Sequence, residues 1–295
     1  MATRVIVAAK RSSYRRYVEE EQDPRALALL ERKDPSVRNW LAAHREHVRT
    51  LDAVLRSLER LKVRTVLLER PHAAFETGDA ALVVTVGGDG TLLAASHNVG
   101  SVPVLGINSA PGHSVGFFCA AHGDNLSQML EQALDGKLPS VVLTRMSVAV
   151  NGRIRSRRVL NEALYSHSSP AATSRYILQY HGRQEDQRSS GFWIGPAAGS
   201  TAAQRSAGGK VLPLRSRKLQ LVVREPYAPH GQKYRLLRVE VPQGAAIEAR
   251  SKMQDCRVYL DGPYKQVSVR LGDVVRFQAS EEPLRVYGLA ERRRG

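Results

Sequence analysis

The stretch Ala81-Leu-Val-Val-Thr-Val-Gly-Gly-Asp-Gly-Thr-Leu-Leu-Ala-Ala-Ser-His97 decides the fold. An apolar run breaks at glycine and resumes with helical spacing, which is the pattern of a strand, a tight turn and a helix. Leu82 to Val86 suit a strand buried on both faces of a parallel sheet. Gly87, Gly88 and Gly90 are expected to take backbone angles closed to other residues, and their missing side chains let a phosphate approach main-chain N–H groups. Leu92, Leu93 and the alanines favour a helix whose positive amino end points at that phosphate. Asp89 puts one carboxylate in the middle of this anion site. Asp is a preferred helix cap, but two preceding glycines and the following Thr91 favour a chemical role.

On either side of this stretch, strands alternate with helices. Arg4-Val-Ile-Val-Ala8 opens the chain as a strand. Leu51, Val54, Leu55, Leu58 and Leu61 fall on one helical face, and Val63–Leu68 and Val102–Ile107 read as further strands. That alternation is the signature of an α/β sheet, whose ligands bind beyond the carboxyl ends of the strands. The glycine turn lies at such an end, as does the loop from Asn108 to Phe118. Phe117 and Phe118 either offer aromatic faces to a ligand or belong to the core. Leu126–Leu134 is an amphipathic helix, and Lys10–Arg49 reads as a helical insertion of unassigned role.

Beyond Pro139 the apolar period shortens to two residues. Asn151-Gly152 between two alternating runs marks a tight hairpin. Arg175–Tyr180, Lys218–Val223, Arg235–Val241, Arg257–Asp261 and Gln266–Val269 continue as strands, so a sandwich or layered sheet is expected. One interruption, Gly195 to Gly209, turns into a short helix starting near Ser200, which Ser200 and Thr201 could cap. The expected organisation is an α/β domain over 1–138, a mostly β domain over 139–280 and a tail over 281–295, whose return to the first domain the sequence leaves open.

Lys and Arg total 44 against 28 Asp and Glu, a net charge of +16 that favours a polyanionic partner. The basic residues are scattered, with short clusters at Arg153–Arg158 and Arg292–Arg294, and no nucleic-acid-binding fingerprint accompanies them. A nucleic-acid partner is therefore not expected. Two cysteines are too few for a disulfide framework or a cysteine zinc site. No run approaches the ~18 consecutive apolar residues of a spanning helix, and Arg4–Ala8 leaves no room for a secretory segment. A cytoplasmic protein with no membrane association is expected.

Four landmarks in order resemble the NAD kinase family, and the similarity runs from Val5 to Asp261. They are Gly87-Gly-Asp-Gly-Thr91, Asn161-Glu162, Gly199-Ser-Thr-Ala202 with Ser206-Ala-Gly-Gly209, and Leu260-Asp-Gly262. The first is shared with diacylglycerol and sphingosine kinases; the combination is specific. Arg188-Ser-Ser-Gly191 is similar to the mitochondrial-type branch. Ala198 and Ala203 depart from the family pattern, which has a Thr-Pro-Thr before the Gly-Ser and an aromatic after the Ala.

The resemblance implies a Rossmann-like α/β domain followed by a mostly β domain. It implies phosphoryl transfer from ATP with Mg²⁺, or from polyphosphate, to the 2′-hydroxyl of the adenosine ribose of NAD. Asp89 would be the catalytic carboxylate or a Mg²⁺ ligand, and Gly87, Gly88, Gly90 and Thr91 would hold phosphates. Phe117, Asn161, Glu162, Ser190, Thr201, Ala202 and Ser206 would bind the dinucleotide. A homodimer or homotetramer is implied as well. Two other readings use the same glycine turn: a lipid kinase, and a catalytically silent NAD(P) sensor permitted by Ala198 and Ala203.

Overall fold

The computed structural model describes residues 3–231 and 233–289. The chain divides into two compact units after Val141, and residues 285–289 rejoin the first unit. Residues 290–295 of the expected tail, including Arg292–Arg294, lie outside the described residues.

In the first unit the strands are β1 (Arg4–Ala9), β2 (Arg64–Leu68), β3 (Leu82–Gly87), β4 (Val104–Asn108) and β5 (Ser140–Leu143). The sheet order is β2, β1, β3, β4, then the strand Leu284–Tyr287, then β5. The pairs β1–β2, β1–β3 and β3–β4 are parallel, and Val286 pairs in parallel with Val104. Both faces of this sheet are covered, which is why β3 and β4 are buried at every residue and read as continuous apolar runs.

The helices are α1 (Pro24–Glu31), α2 (Trp40–Arg60), α3 (Asp89–Ser96) and α4 (Leu126–Leu134). Val54 and Leu58 of α2 and Leu126, Leu130 and Ala133 of α4 pack into one core with Val5, Val7, Val84, Val86 and Ile107. The insertion expected over 10–49 is a π-helical turn, Arg15–Glu20, followed by α1 and the start of α2. Asp23 starts α1: its carboxylate accepts from the Ala26 N–H at 2.8 Å, and Pro24 follows with no N–H to satisfy. Helix α2 begins eleven residues before Leu51 with the apolar turn Trp40-Leu-Ala-Ala43, and the mostly polar residues 44–50 between the two hide the continuity of the periodicity.

The second unit is a sandwich of two six-stranded antiparallel sheets. One has the order β10 (Arg183–Ser189), β9 (Ser174–Tyr180), β14 (Ala246–Ser251), β17 (Val274–Ala279), β6 (Met146–Val150), β7 (Arg153–Val159). The other has the order β13 (Arg238–Val241), β12 (Leu219–Val223), β11 (Phe192–Pro196), β8 (Ala163–His167), β15 (Cys256–Leu260), β16 (Lys265–Val269). Tyr165 and Phe192 from one sheet stack at 4.8 Å and meet Tyr176 and Phe277 from the other edge-on. These rings are fully buried and centre a core shared by both sheets. The β6–β7 turn has φ +49° at Asn151 and +77° at Gly152, as a two-residue primed turn requires.

The short helix α5 (Ala203–Ser206) begins three residues after Ser200, and neither Ser200 nor Thr201 caps it through a side chain. Ser200 is turned inward instead: its hydroxyl donates to the Ala197 carbonyl at 2.8 Å and accepts from the Leu212 N–H at 2.9 Å. Among the described residues no helix is long and apolar enough to cross a membrane.

Candidate functional site

The carboxyl ends of β1, β3 and β4 carry the glycine turn and the loop that follows Asn108. Gly87, Gly88 and Gly90 do not adopt positive φ, so backbone freedom is not why they are glycine. The reason is room. A Cβ on Gly87 would lie 2.1 Å from Thr91 Oγ1, and one on Gly88 2.4 Å from Ser114 Oγ. Gly90 has nothing within 4 Å of such a Cβ and is exposed, which leaves open space over the first turn of α3. Among the described residues, the N–H groups of Gly88, Asp89 and Gly90 have no protein acceptor. These are the orphan donors of a helix start, the arrangement that binds phosphate.

Asp89 is the first residue of α3, with Gly88 in the capping position, and it does not cap the helix. Its carboxylate reaches across to the loop: the Phe117 N–H donates to Oδ2 at 2.9 Å and the Phe118 N–H to Oδ1 at 2.7 Å. Each oxygen keeps a second lone pair. The side chain is half-buried, so it is held in one orientation and still reachable. The loop is braced from below. Asn108 Nδ2 donates to the Ser114 carbonyl at 2.9 Å, and Gly116, at φ +64°, passes so close that a Cβ would sit 2.4 Å from that nitrogen.

Phe118 is core, 3% exposed, whereas Phe117 is half-buried and meets it edge-on at 5.0 Å. The core reading therefore holds for Phe118, while Phe117 keeps part of its ring exposed. Burial, and then the Asp89 charge, push the Cys119 thiol up to about 12, which removes it as a nucleophile near neutral pH. Among the described residues no group of three or more His, Cys, Asp or Glu forms a metal cage. Asp89, with its free lone pairs, suits a cation that arrives already bound to phosphate.

In the second unit Asn161 and Glu162 precede β8, and Gly199 presses against them. A Cβ on Gly199 would be 1.7 Å from the Asn161 carbonyl oxygen, and one on Gly195 2.4 Å from it. The turn carrying Thr201 and Ala202, both half-buried, follows Gly199 directly, with Ser206 exposed at the end of α5. Ser190 is at the other end of β11, a five-residue strand and thus on the order of 17 Å away. Asn161, Glu162, Thr201 and Ala202 are therefore brought together, and Ser190 is not.

Sequence reading missed what holds this corner. Asp261, left-handed at φ +52°, accepts the N–H groups of Leu160, Asn161 and Glu162 at 2.8, 2.7 and 3.1 Å. Its place in an Asp-Gly turn was the available signal; its partners lie about a hundred residues earlier.

Glu162 Oε2 is buried without a hydrogen-bond partner. Burial, then the neighbouring Asp261 charge, push the Glu162 carboxyl up to about 7, against a hydrogen bond from the Asn161 amide. The fold thus favours the protonated form. That contribution is full below about pH 4.5 and is lost as pH rises through about 7. Glu162→Gln is expected to melt above the parent at pH 8, by a margin worth about 1–3 kcal/mol, and to match it near pH 4.5. Thermal unfolding at both pH values checks this; an equal margin at the two would dissociate it from Glu162 ionisation.

Residues 8–138 match the profile described as the ATP-NAD kinase N-terminal domain. A protein of Oryza sativa subsp. japonica named "Probable NADH kinase" is 35% identical over 276 residues, covering 86% of this chain and 85% of that protein. The "NADH kinase" of Arabidopsis thaliana is 33% identical, covering 86% and 88%. The solved NAD kinase from Archaeoglobus fulgidus in complex with ATP superposes with a TM-score of 0.68 at 22% identity, over 97% of this chain and 93% of that one, and so shares the fold. Four ordered landmarks, the two-unit fold and relatives at this identity across most of their length lead to one conclusion: the chain is a kinase of the NAD kinase family.

Proposed function

We propose that the chain moves the terminal phosphoryl group of ATP to the 2′-hydroxyl of the adenosine ribose of NAD or NADH, giving NADP or NADPH. The observation that carries this is the half-buried Asp89 carboxylate, fixed by two loop N–H groups beside the free N–H groups of a helix start. A ribose hydroxyl is a weak nucleophile at neutral pH. A positioned carboxylate that orients it and accepts its proton contributes about a hundred- to ten-thousandfold. The O2′–P bond forms as the bond from the terminal phosphorus to its bridging oxygen breaks, and the hydroxyl proton passes to Asp89.

The N–H groups at Gly88 and Gly90, with the Thr91 hydroxyl that Gly87 lets pack against the turn and the open space at Gly90, take phosphate oxygens. Asp89 would be the carboxylate nearest any Mg²⁺ arriving with ATP, whose charge would offset that of the phosphate oxygens. Asn161 and Glu162 are assigned to adenine or ribose, where an orphaned carboxyl oxygen would accept from a ribose hydroxyl. Phe117 is assigned to packing against the adenosine, and Ser190, Thr201, Ala202 and Ser206 to the rest of the dinucleotide.

The names of the two plant relatives support NADH as an acceptor beside NAD. Arg188–Gly191 supports the mitochondrial-type branch. A homodimer or homotetramer and a cytoplasmic location belong to the same reading. The lipid-kinase and silent-sensor readings are not favoured by the relatives. The test is to incubate the purified chain with ATP, Mg²⁺ and either NAD or NADH. NADP is then followed with an NADP-specific dehydrogenase and NADPH with an NADPH-specific reductase. Product in either arm is expected; none in both would reject the proposal.

A further inference from the structure

Lys10 is the first residue past β1 and sits directly across from the glycine turn. Its N–H donates to the Val86 carbonyl at 2.9 Å, continuing the ladder that pairs Ala9 with Val86, so its neighbour on β3 is Gly87. A Cβ on Gly87 would lie 3.2 Å from Lys10 Cβ. The lysine side chain therefore leaves the backbone beside the first glycine of the turn, against which Thr91 also packs.

The backbone of Lys10 is locked from behind. His47 of α2, 4% exposed, hydrogen-bonds the Lys10 backbone, and its Nδ1 lies 2.9 Å from Ser109 Oγ. The Ser109 N–H in turn donates to the Gly87 carbonyl at 3.0 Å. One buried imidazole thus ties together the exits of β1 and β4, and Ser109 ties them to β3. Burial, and then the Lys10 charge, draw His47 down to about 4, so it stays neutral as this role needs.

The Lys10 side chain is half-buried, and among the described residues its ammonium makes neither a hydrogen bond nor an ion pair. Burial lowers its pKa, and the Glu46 charge acts the other way. A cation partly stripped of water and left without a close anion is costly unless an anion arrives.

We propose that Lys10 binds the triphosphate chain of the phosphoryl donor, whether carried by a nucleoside or present as inorganic polyphosphate. This rests on the reading above that the glycine turn takes the donor's phosphates. The lysine contributes what the turn lacks, a mobile point charge that can follow the chain.

The experiment pairs steady-state kinetics with direct binding. Lys10→Met keeps the stem and removes the charge; Lys10→Arg keeps the charge. With Lys10→Met, KM for ATP is expected to rise at least about tenfold while KM for NAD stays within about twofold, and Lys10→Arg recovers part of the loss. Calorimetric titration without NAD is expected to show the same weakening for ATP and for inorganic tripolyphosphate. At pH 9.5 the parent is expected to take up protons on binding ATP, and Lys10→Met is not, because a bound anion raises the pKa of the buried ammonium.

Unchanged donor affinity, or a loss confined to NAD, would overturn the assignment. So would weakened ATP binding with tripolyphosphate unaffected, since the contact would then lie at the nucleoside. Failure of the parent itself to bind or turn over donor would strike the reading of the whole turn rather than Lys10.

Discussion

Asp89→Asn is expected to cut NADP formation by at least about a hundredfold. Two losses combine. The carboxamide is a poor proton acceptor, so the ribose hydroxyl is no longer activated. It also has a single acceptor oxygen, while Phe117 and Phe118 both present N–H groups to this side chain. One of those donors would face an NH₂ group. An unsatisfied donor of that kind costs about 1–3 kcal/mol, and the loop at Phe117 would loosen.

The two losses separate experimentally. Failure of the chemical step lowers kcat at saturating substrates, whereas loosening of the loop lowers thermal stability and raises KM. Single-turnover rates with both substrates saturating, measured beside melting curves, read them independently. A kcat within a few-fold of the parent would remove Asp89 from the reaction.

The second large effect is expected from Asp261→Ala. Its carboxylate is the common acceptor for three successive backbone donors, Leu160, Asn161 and Glu162. Charge-assisted bonds of this kind are worth about 1.5–3 kcal/mol each, and part of the sum is recovered by water. A net loss of about 3 kcal/mol or more is therefore expected in equilibrium unfolding of the second unit, with KM for NAD raised at least about tenfold. Asp261→Asn is expected to fall between the two, since one oxygen still accepts. Unfolding within about 1 kcal/mol of the parent, with NAD affinity retained, would mean that the Asn161-Glu162 corner is held by packing alone.

The elements legible in the sequence were those whose local pattern and tertiary role agree. The β3–turn–α3 unit, helix α4 at Leu126–Leu134 and the Asn151-Gly152 hairpin are buried or turned as their residue types favour. Strand β10 was invisible, because Arg183-Gln-Glu-Asp-Gln-Arg-Ser189 lies at a sheet edge and its buried positions are Gln187 and Ser189. The inward residues are polar, so no apolar alternation exists to read. Gln187 is accommodated because its amide donates to Glu185 Oε2 at 2.9 Å.

At the site, the residue types were legible and their constraints were not. Glycines at 87 and 88 suggested backbone freedom, but they are required by Thr91 and Ser114 packing against them. Asp89 was recognisable as the carboxylate of the turn. Its grip on Phe117 and Phe118 joins residues nearly thirty positions apart, which no local pattern encodes. Lys10 and His47 carry no motif. They matter because a parallel sheet brings the ends of distant strands to one edge.

The strand Leu284–Tyr287 lies between β4 and β5 in the first unit's sheet. During synthesis this slot stays empty until the strand, encoded after every strand of the sandwich, has left the ribosome. The unit made first is thus the last to close, and in the interim β4 presents an unpaired edge. The sandwich encoded between them has all its own strands earlier, so maturation runs against the direction of translation.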